Sequence, residues 1–346
     1  MAEERTPLRE AEYWERNPDG SVRCFLCPKD CRIGPGKVGF CGVRRNEDGT
    51  LYTLNYARAA ALHLDPVEKK PLFHFHPGTT VLSAGAPGCN LACAFCQNWE
   101  LSQARKEVAS MGFSLPPEEF VSLALRYREE GRACVGLAYT YSEPTVWFEY
   151  VRDTARLARA RGLKNVMVTN GFISPEPLKE LLELVDAFNV DVKGMDPRYY
   201  TRICRGKRDP VLRTVETIYQ AGRHVEVTNL LVTGENTGEE EIKSLVDWLS
   251  GVSPDLPLHF SRYFPAYRMT NPPTPLEVLD GAREIARQRL RYVYLGNTWR
   301  PGDDDTRCPG CGELLVAREG YRIRILAMKG ERCASCGEEI YGEWGG

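Results

Sequence analysis

Two kinds of hydrophobic pattern alternate along the middle of the chain. Short apolar runs occur at Thr80–Ala84, Val135–Tyr139, Asn165–Thr169, Ala187–Val192, His224–Leu231, Leu258–Arg262 and Tyr292–Leu295. Between them lie amphipathic stretches of helical period, which predict helices over Pro117–Glu130, Pro144–Arg161, Pro175–Leu184, Val211–Ala221, Glu239–Leu249 and Leu276–Arg289. Strands alternating with helices predict an α/β fold with a mainly parallel sheet. Six or seven such units suit either a closed or partial barrel or an open doubly wound sheet.

Polar positions on two of the strands bear on that choice. In Asn189-Val-Asp-Val-Lys193 the polar side chains share one face and the valines the other. His224-Val-Glu-Val-Thr228 repeats the pattern. Strands of an open α/β sheet are usually apolar on both faces. Polar faces on two strands therefore point to a barrel whose interior receives a charged ligand, the alternative being edge strands with a solvated face.

The flanks read differently. Residues 1–78 are rich in Cys, Gly and Pro, with a possible strand only at Thr53–Ala57. The last part, 301–346, opens on Pro301-Gly-Asp-Asp-Asp305, a linker signal. The expected organisation is an extension over 1–78, the α/β unit over 79–300 and a small module over 301–346.

Composition narrows the functional classes. The 346 residues carry 45 Lys+Arg against 47 Asp+Glu, a formal charge of −2. That balance gives no electrostatic case for nucleic acid or an anionic membrane. The N-terminus lacks an apolar signal core, and no run approaches the roughly 18 apolar residues of a membrane span. A cytoplasmic protein is expected. Its 13 cysteines, clustered at short spacings, then read as metal sites rather than disulfides.

Cys89-Asn-Leu-Ala-Cys93-Ala-Phe-Cys96 follows the first strand of the α/β unit and is preceded by Gly85-Ala-Pro-Gly88. Three thiolates are one short of a structural zinc site and one short of a fully protein-ligated iron–sulfur cluster. A cluster with one iron open to a chelating ligand satisfies the spacing.

The same residues resemble the radical S-adenosylmethionine superfamily. There, three cysteines hold a [4Fe–4S] cluster, and S-adenosylmethionine chelates the fourth iron. Its reductive cleavage yields a 5′-deoxyadenosyl radical that abstracts hydrogen from, or adds to, a substrate. Within the superfamily, four segments are similar to the radical enzyme of the AmmeMemoRadiSam system: Gly88 to Gln103, Asp65-Pro-Val-Glu-Lys-Lys-Pro-Leu-Phe-His74, Tyr139-Thr-Tyr-Ser-Glu-Pro-Thr145 and Tyr294-Leu-Gly-Asn297. That group in turn resembles the pyruvate formate-lyase activating enzyme.

The resemblance implies a partial TIM-type (β/α)6 barrel and a low-potential electron donor, flavodoxin or ferredoxin. It also implies a functional association with AMMECR-type and Memo-type proteins. Cys89, Cys93 and Cys96 are the expected cluster ligands and catalytic centre, with Phe95 near the adenine. Ser142 and Glu143 stand where the superfamily meets the cofactor's ammonium, and Asn170 suits the ribose. Asp191 and Lys193 resemble an Asp-x-Lys element beside the methionyl end. Val168 replaces an aspartate found in relatives, which puts their monovalent cation site in doubt. His259 ends another strand, within reach of adenine or substrate. An activase acting on a glycine of a partner enzyme is one alternative; a non-catalytic zinc-binding adaptor or nucleic-acid-binding protein is another.

Two cysteine quartets remain. Cys308-Pro-Gly-Cys311 and Cys333-Ala-Ser-Cys336 are paired knuckles that read as a zinc-ribbon or rubredoxin-like site. Cys24, Cys27, Cys31 and Cys41 form a second closed set, for zinc or a second iron–sulfur cluster. Cys134 falls in an apolar strand, and Cys204 near a loop, where a thiyl role is open.

Overall fold

The computed structural model describes residues 8–104 and 111–345. Its centre is an eight-stranded sheet. In chain order the strands are β1 (Ala61–Pro66), β2 (Thr80–Gly85), β3 (Cys134–Tyr139), β4 (Lys164–Thr169), β5 (Ala187–Asp191), β6 (His224–Leu231), β7 (Leu258–Arg262) and β8 (Val293–Gly296). β1 runs antiparallel to β2; every later neighbour is parallel.

The order of strands in space repeats their order in the chain. Right-handed crossovers then place every connecting helix on one face, so the sheet curls and the doubly wound alternative is excluded. The helices are α1 (Pro117–Glu129), α2 (Phe148–Ala160), α3 (Pro175–Leu182), α4 (Arg208–Gln220), α5 (Glu239–Val252) and α6 (Leu276–Arg287). Six strand–helix units are thus present, as expected. A seventh parallel strand, β8, and the antiparallel β1 extend the sheet beyond a bare (β/α)6 count.

Most of the expected elements lie within three residues of their expected bounds; two depart by four residues at one end. The stretch from Pro144 begins as a 3-10 turn, Pro144–Trp147, before α2 starts at Phe148. The strand expected at Thr53–Ala57 lies instead at Thr50–Thr53, paired with Arg44–Glu47. In the extension, pairing partners rather than alternation set the strand ends, so periodicity misplaced it.

The inner face of the sheet holds a plug. Between β1 and β2 the chain turns inward, burying Val67, Leu72 and Phe75 against Val81, Ala138, Val166 and Ala187. Asn189 Nδ2 donates to Pro71 O at 2.8 Å, and His74 N donates to Glu226 Oε1 at 2.8 Å. The polar face of His224, Glu226 and Thr228 is buried, on a strand flanked by β5 and β7. The solvated-edge alternative is therefore excluded. Much of that polar face serves the chain's own plug rather than an incoming ligand, which corrects part of the expectation.

The C-terminal part packs on the base of the sheet. Leu315, Val316, Ile340 and Trp344 form one apolar cluster with Tyr292 and Tyr294. Arg318 Nη2 donates to Phe73 O at 2.7 Å, and Glu343 N to His74 O at 2.8 Å. Among the described residues, no helix is long and apolar enough to cross a membrane.

Candidate active site at the strand C-termini

The expected site residues converge at the C-terminal ends of β2 to β5. In parallel β/α folds this end carries the chemistry, because its loops are free to vary over a rigid sheet. The three-cysteine loop leaves β2 and is braced from two sides. On one side, Ala92 N donates to Cys204 O at 2.9 Å and Ala94 N to Ile203 O at 3.0 Å. On the other, Gly88 lies against Cys41 and Val43 of the N-terminal extension.

Each thiol has its own setting. Asn170 Nδ2 lies 3.6 Å from Cys89 Sγ, and Leu91 N donates to the same sulfur at 3.3 Å. Cys96 Sγ is 3.3 Å from Ser102 Oγ. Cys93 is buried beside Cys204; the Cys204 thiol, ahead of Lys193, holds the Cys93 thiol below its ordinary pKa. The three sulfurs do not draw within 4.8 Å of one another as those of a single-ion site would. This donor set fits a larger, multi-iron group.

Around the loop, the carboxylate of Glu143 is 2% exposed and heavily engaged. Oε1 accepts from Thr145 N at 3.0 Å and Thr169 Oγ1 at 2.7 Å; Oε2 accepts from Asn170 N at 2.8 Å. Burial pushes its pKa up, against those hydrogen bonds. A carboxylate has about four acceptor positions, so roughly one remains for a ligand ammonium. Ser142 Oγ donates to Ala86 O, tying the β3 loop to the β2 loop.

Asp191 and Lys193 pair at 2.5 Å. Burial works to lower the Lys193 pKa, but Asp191 and Cys93 together hold it above its ordinary value. Phe95 is buried and stacks on Tyr199, with centroids 6.3 Å apart. His259 is turned differently. Its backbone stands level with Thr228 and Asp191, but its Nε2 lies 2.6 Å from Oε2 of Glu226, two residues earlier on β6. Its ring stacks on Tyr294 at 5.1 Å. The structure thus brings together Cys89, Cys93, Cys96, Phe95, Ser142, Glu143, Asn170, Asp191 and Lys193, and engages the His259 side chain with Glu226.

The part played by Asn90 and Tyr200, and the place of Cys204 beside Cys93, escaped the sequence reading. Asn90 Oδ1 accepts from Asn170 Nδ2 at 2.9 Å, linking the cysteine loop to β4. Cys204 ends a turn at Tyr200–Cys204, and Tyr200 Oη accepts from Lys193 N at 2.9 Å. Only proximity in space marks these residues. Gly171, which follows Asn170, makes room for Val190 and Val211: a Cβ would lie 2.8 Å and 3.1 Å from their methyl groups.

The Radical SAM superfamily model matches residues 85–249, the span that carries this site. An uncharacterized protein of Methanocaldococcus jannaschii, MJ0808, is 42% identical over 96% of this chain and 99% of its own length. The chain belongs to the radical SAM superfamily. It is an enzyme, as the members of that superfamily are.

Two further likenesses place this radical SAM chain among its relatives. The pyruvate formate-lyase 1-activating enzyme of Escherichia coli is 27% identical over 40% of the chain, which covers 55% of that enzyme. A radical SAM methyltransferase from Sphaerobacter thermophilus superposes with a TM-score of 0.50 at 17% identity, over 89% of this chain and 81% of that one. The second likeness concerns the fold alone.

The C-terminal quartet is a separate site. Cys308 and Cys336 sulfurs lie 3.5 Å apart, and those of Cys311 and Cys333 lie 3.8 Å apart. All four lie within 4.8 Å of one another.

Proposed function

We propose that Cys89, Cys93 and Cys96 hold a [4Fe–4S] cluster with one iron left for S-adenosylmethionine. The observation that carries this is three thiols on one braced loop at the strand C-termini, ringed by Glu143, Asn170, Asp191 and Lys193. When bound, the cluster and S-adenosylmethionine supply a one-electron reductive cleavage that generates a 5′-deoxyadenosyl radical for hydrogen abstraction.

The chain's own residues have distinct tasks in this reading. Glu143 keeps one acceptor position for the cofactor's ammonium. Thr169 and Asn170 hold that carboxylate in place, and Asn170 also steadies Cys89. Lys193, paired with Asp191 beside Cys93, offers positive charge toward the cofactor's carboxylate. Phe95, stacked on Tyr199, supplies an apolar wall for the adenine. His259 supports the floor through Glu226.

The substrate is a small molecule or a protein. A second reading, an activase that makes a glycyl radical on a partner enzyme, draws on the likeness to the pyruvate formate-lyase 1-activating enzyme, of which the chain spans about half. The finer reading as the radical enzyme of an AmmeMemoRadiSam system rests on the four matching segments. It carries with it an association with AMMECR-type and Memo-type proteins. A flavodoxin or ferredoxin would supply the electron, in the cytoplasm. For the C-terminal quartet we propose zinc. With Zn–S bonds near 2.3 Å, a tetrahedron has edges of about 3.8 Å, close to its sulfur spacings.

The deciding experiment is anaerobic. Protein reconstituted with iron and sulfide should form 5′-deoxyadenosine from S-adenosylmethionine and dithionite, and Cys93→Ala should abolish it. A normal rate in that variant overturns the assignment. A glycyl-radical doublet on a co-incubated partner would select the activase.

A further inference from the structure

The N-terminal quartet is not a smaller copy of the C-terminal one. Cys24, Cys27, Cys31 and Cys41 line one cavity together with Leu26 and Arg44. Yet among the described residues only the C-terminal quartet gathers three or more sulfurs within 4.8 Å of one another. A single zinc ion requires sulfurs about 3.8 Å apart. Four soft ligands spread around a void suit a larger group.

A second feature points the same way. Arg44 is 1% exposed and forms a two-pronged ion pair with Glu149, its Nη2 lying 2.7 Å and 2.9 Å from the two carboxylate oxygens. Its Nε has no hydrogen-bond partner among the described residues. A buried donor without a partner destabilises the fold, unless an acceptor fills the cavity that Arg44 lines. The sulfides and thiolates of an iron–sulfur cluster are such acceptors. Four thiolates around a cluster also leave net negative charge, which burial penalises without nearby cations. Arg44 and Lys29 both line the cavity.

The location suggests the use. Asn90 forms part of the same cavity wall and is the residue bonded to Cys89. Lys29 Nζ donates to Arg205 O, next to Cys204 and its neighbour Cys93. One residue of backbone therefore separates the quartet's cavity from a ligand of the three-cysteine site.

We propose that Cys24, Cys27, Cys31 and Cys41 hold a second, multinuclear iron–sulfur cluster that relays electrons to the three-cysteine site. A reduced flavodoxin- or ferredoxin-class donor gives one electron to the quartet's cluster. That cluster returns to its oxidised state as the cluster at Cys89, Cys93 and Cys96 is reduced by the same electron, and no bond is made or broken in the transfer. The relay rests on the function proposed above; the identity of the metal does not.

The test begins with the triple variant Cys89→Ala, Cys93→Ala, Cys96→Ala, reconstituted anaerobically with iron and sulfide. About four iron and four sulfide per chain should remain, with Mössbauer and EPR spectra of a cubane cluster. Zinc near two per chain with no sulfide overturns the proposal. Should the triple variant not fold, Cys27→Ala in the full chain serves instead. Its iron should fall by about half against wild type, and the EPR signal that remains should shift on adding S-adenosylmethionine. Unchanged iron in Cys27→Ala overturns the quartet's cluster. A cluster in the triple variant, with no S-adenosylmethionine response in Cys27→Ala, keeps the quartet and removes the radical SAM reading of the loop. For the relay, Cys27→Ala should lose at least tenfold in 5′-deoxyadenosine formation with reduced flavodoxin, and less with dithionite. Equal rates with flavodoxin for variant and wild type overturn the relay.

Discussion

Gly88 sits one residue before Cys89, the first cysteine of the loop, with φ at +100°. A Cβ there would lie 2.6 Å from Val43 Cγ1 and 2.9 Å from Cys41 O. Both strain and overpacking oppose a side chain. Gly88→Ala should destabilise the protein by about 1–3 kcal/mol, read as a lower denaturation midpoint with an unchanged m-value. Iron retention at the three-cysteine loop should fall in parallel, because this contact locks the loop to the extension. Wild-type stability in the variant would mean that the backbone relaxes freely there. The cysteine spacing was open to sequence reading because its meaning is chemical: three thiolates in eight residues converge whatever the fold. The link from Asn90 to Asn170 and the place of Cys204 beside Cys93 were not, since these partners are remote in sequence.

At the scale of elements, the extension is tied to the barrel by Arg44 and Glu149. Both side chains are 1% exposed and 2.7 Å apart. Glu149 lies in the first turn of α2, where an acid alone would suit the helix dipole. Its actual task is to neutralise a buried guanidinium and to accept from Glu12 N at 2.8 Å. Glu149→Ala leaves that guanidinium without its counter-charge, and a loss of about 3–5 kcal/mol is expected by chemical denaturation. An effect below 1 kcal/mol would show that water reaches the site.

The plug gives a pH signature. Burial holds the His74 pKa down at about 3, against Glu226, which raises it; Arg318 and His224 add to the lowering. An unfolded histidine titrates near 6.5. The folded form therefore binds fewer protons between those values, so stability is full above about pH 6.5 and falls as pH drops toward 3. The slope from this residue is at most about 1.4 kcal/mol per pH unit. His74→Asn should flatten the denaturation midpoint against pH in that window, and an unchanged profile would assign the effect to other groups.

For the whole molecule, the C-terminal part closes the base of the sheet. Its quartet positions the chain that carries Arg318, Tyr341 and Glu343 to Phe73, Val225 and His74. Loss of one cysteine of the quartet should release those contacts together. Cys308→Ala should lower the melting temperature on the order of 5–10 °C while 5′-deoxyadenosine formation survives at permissive temperature. Loss of activity without loss of stability would instead place the quartet in the chemistry.

Alternating periodicities specified six strand–helix units and a parallel sheet, because burial on helix and strand faces is a local property of the chain. Clustered cysteines marked the candidate metal sites, because ligand spacing is local too. Pairwise juxtaposition was decided only in three dimensions. The order of strands excluded a doubly wound sheet, the plug claimed the polar face of β6, and the two quartets acquired different sulfur spacings. Each of these depends on segments far apart in sequence meeting at a few ångströms, and linear pattern holds no record of such distances.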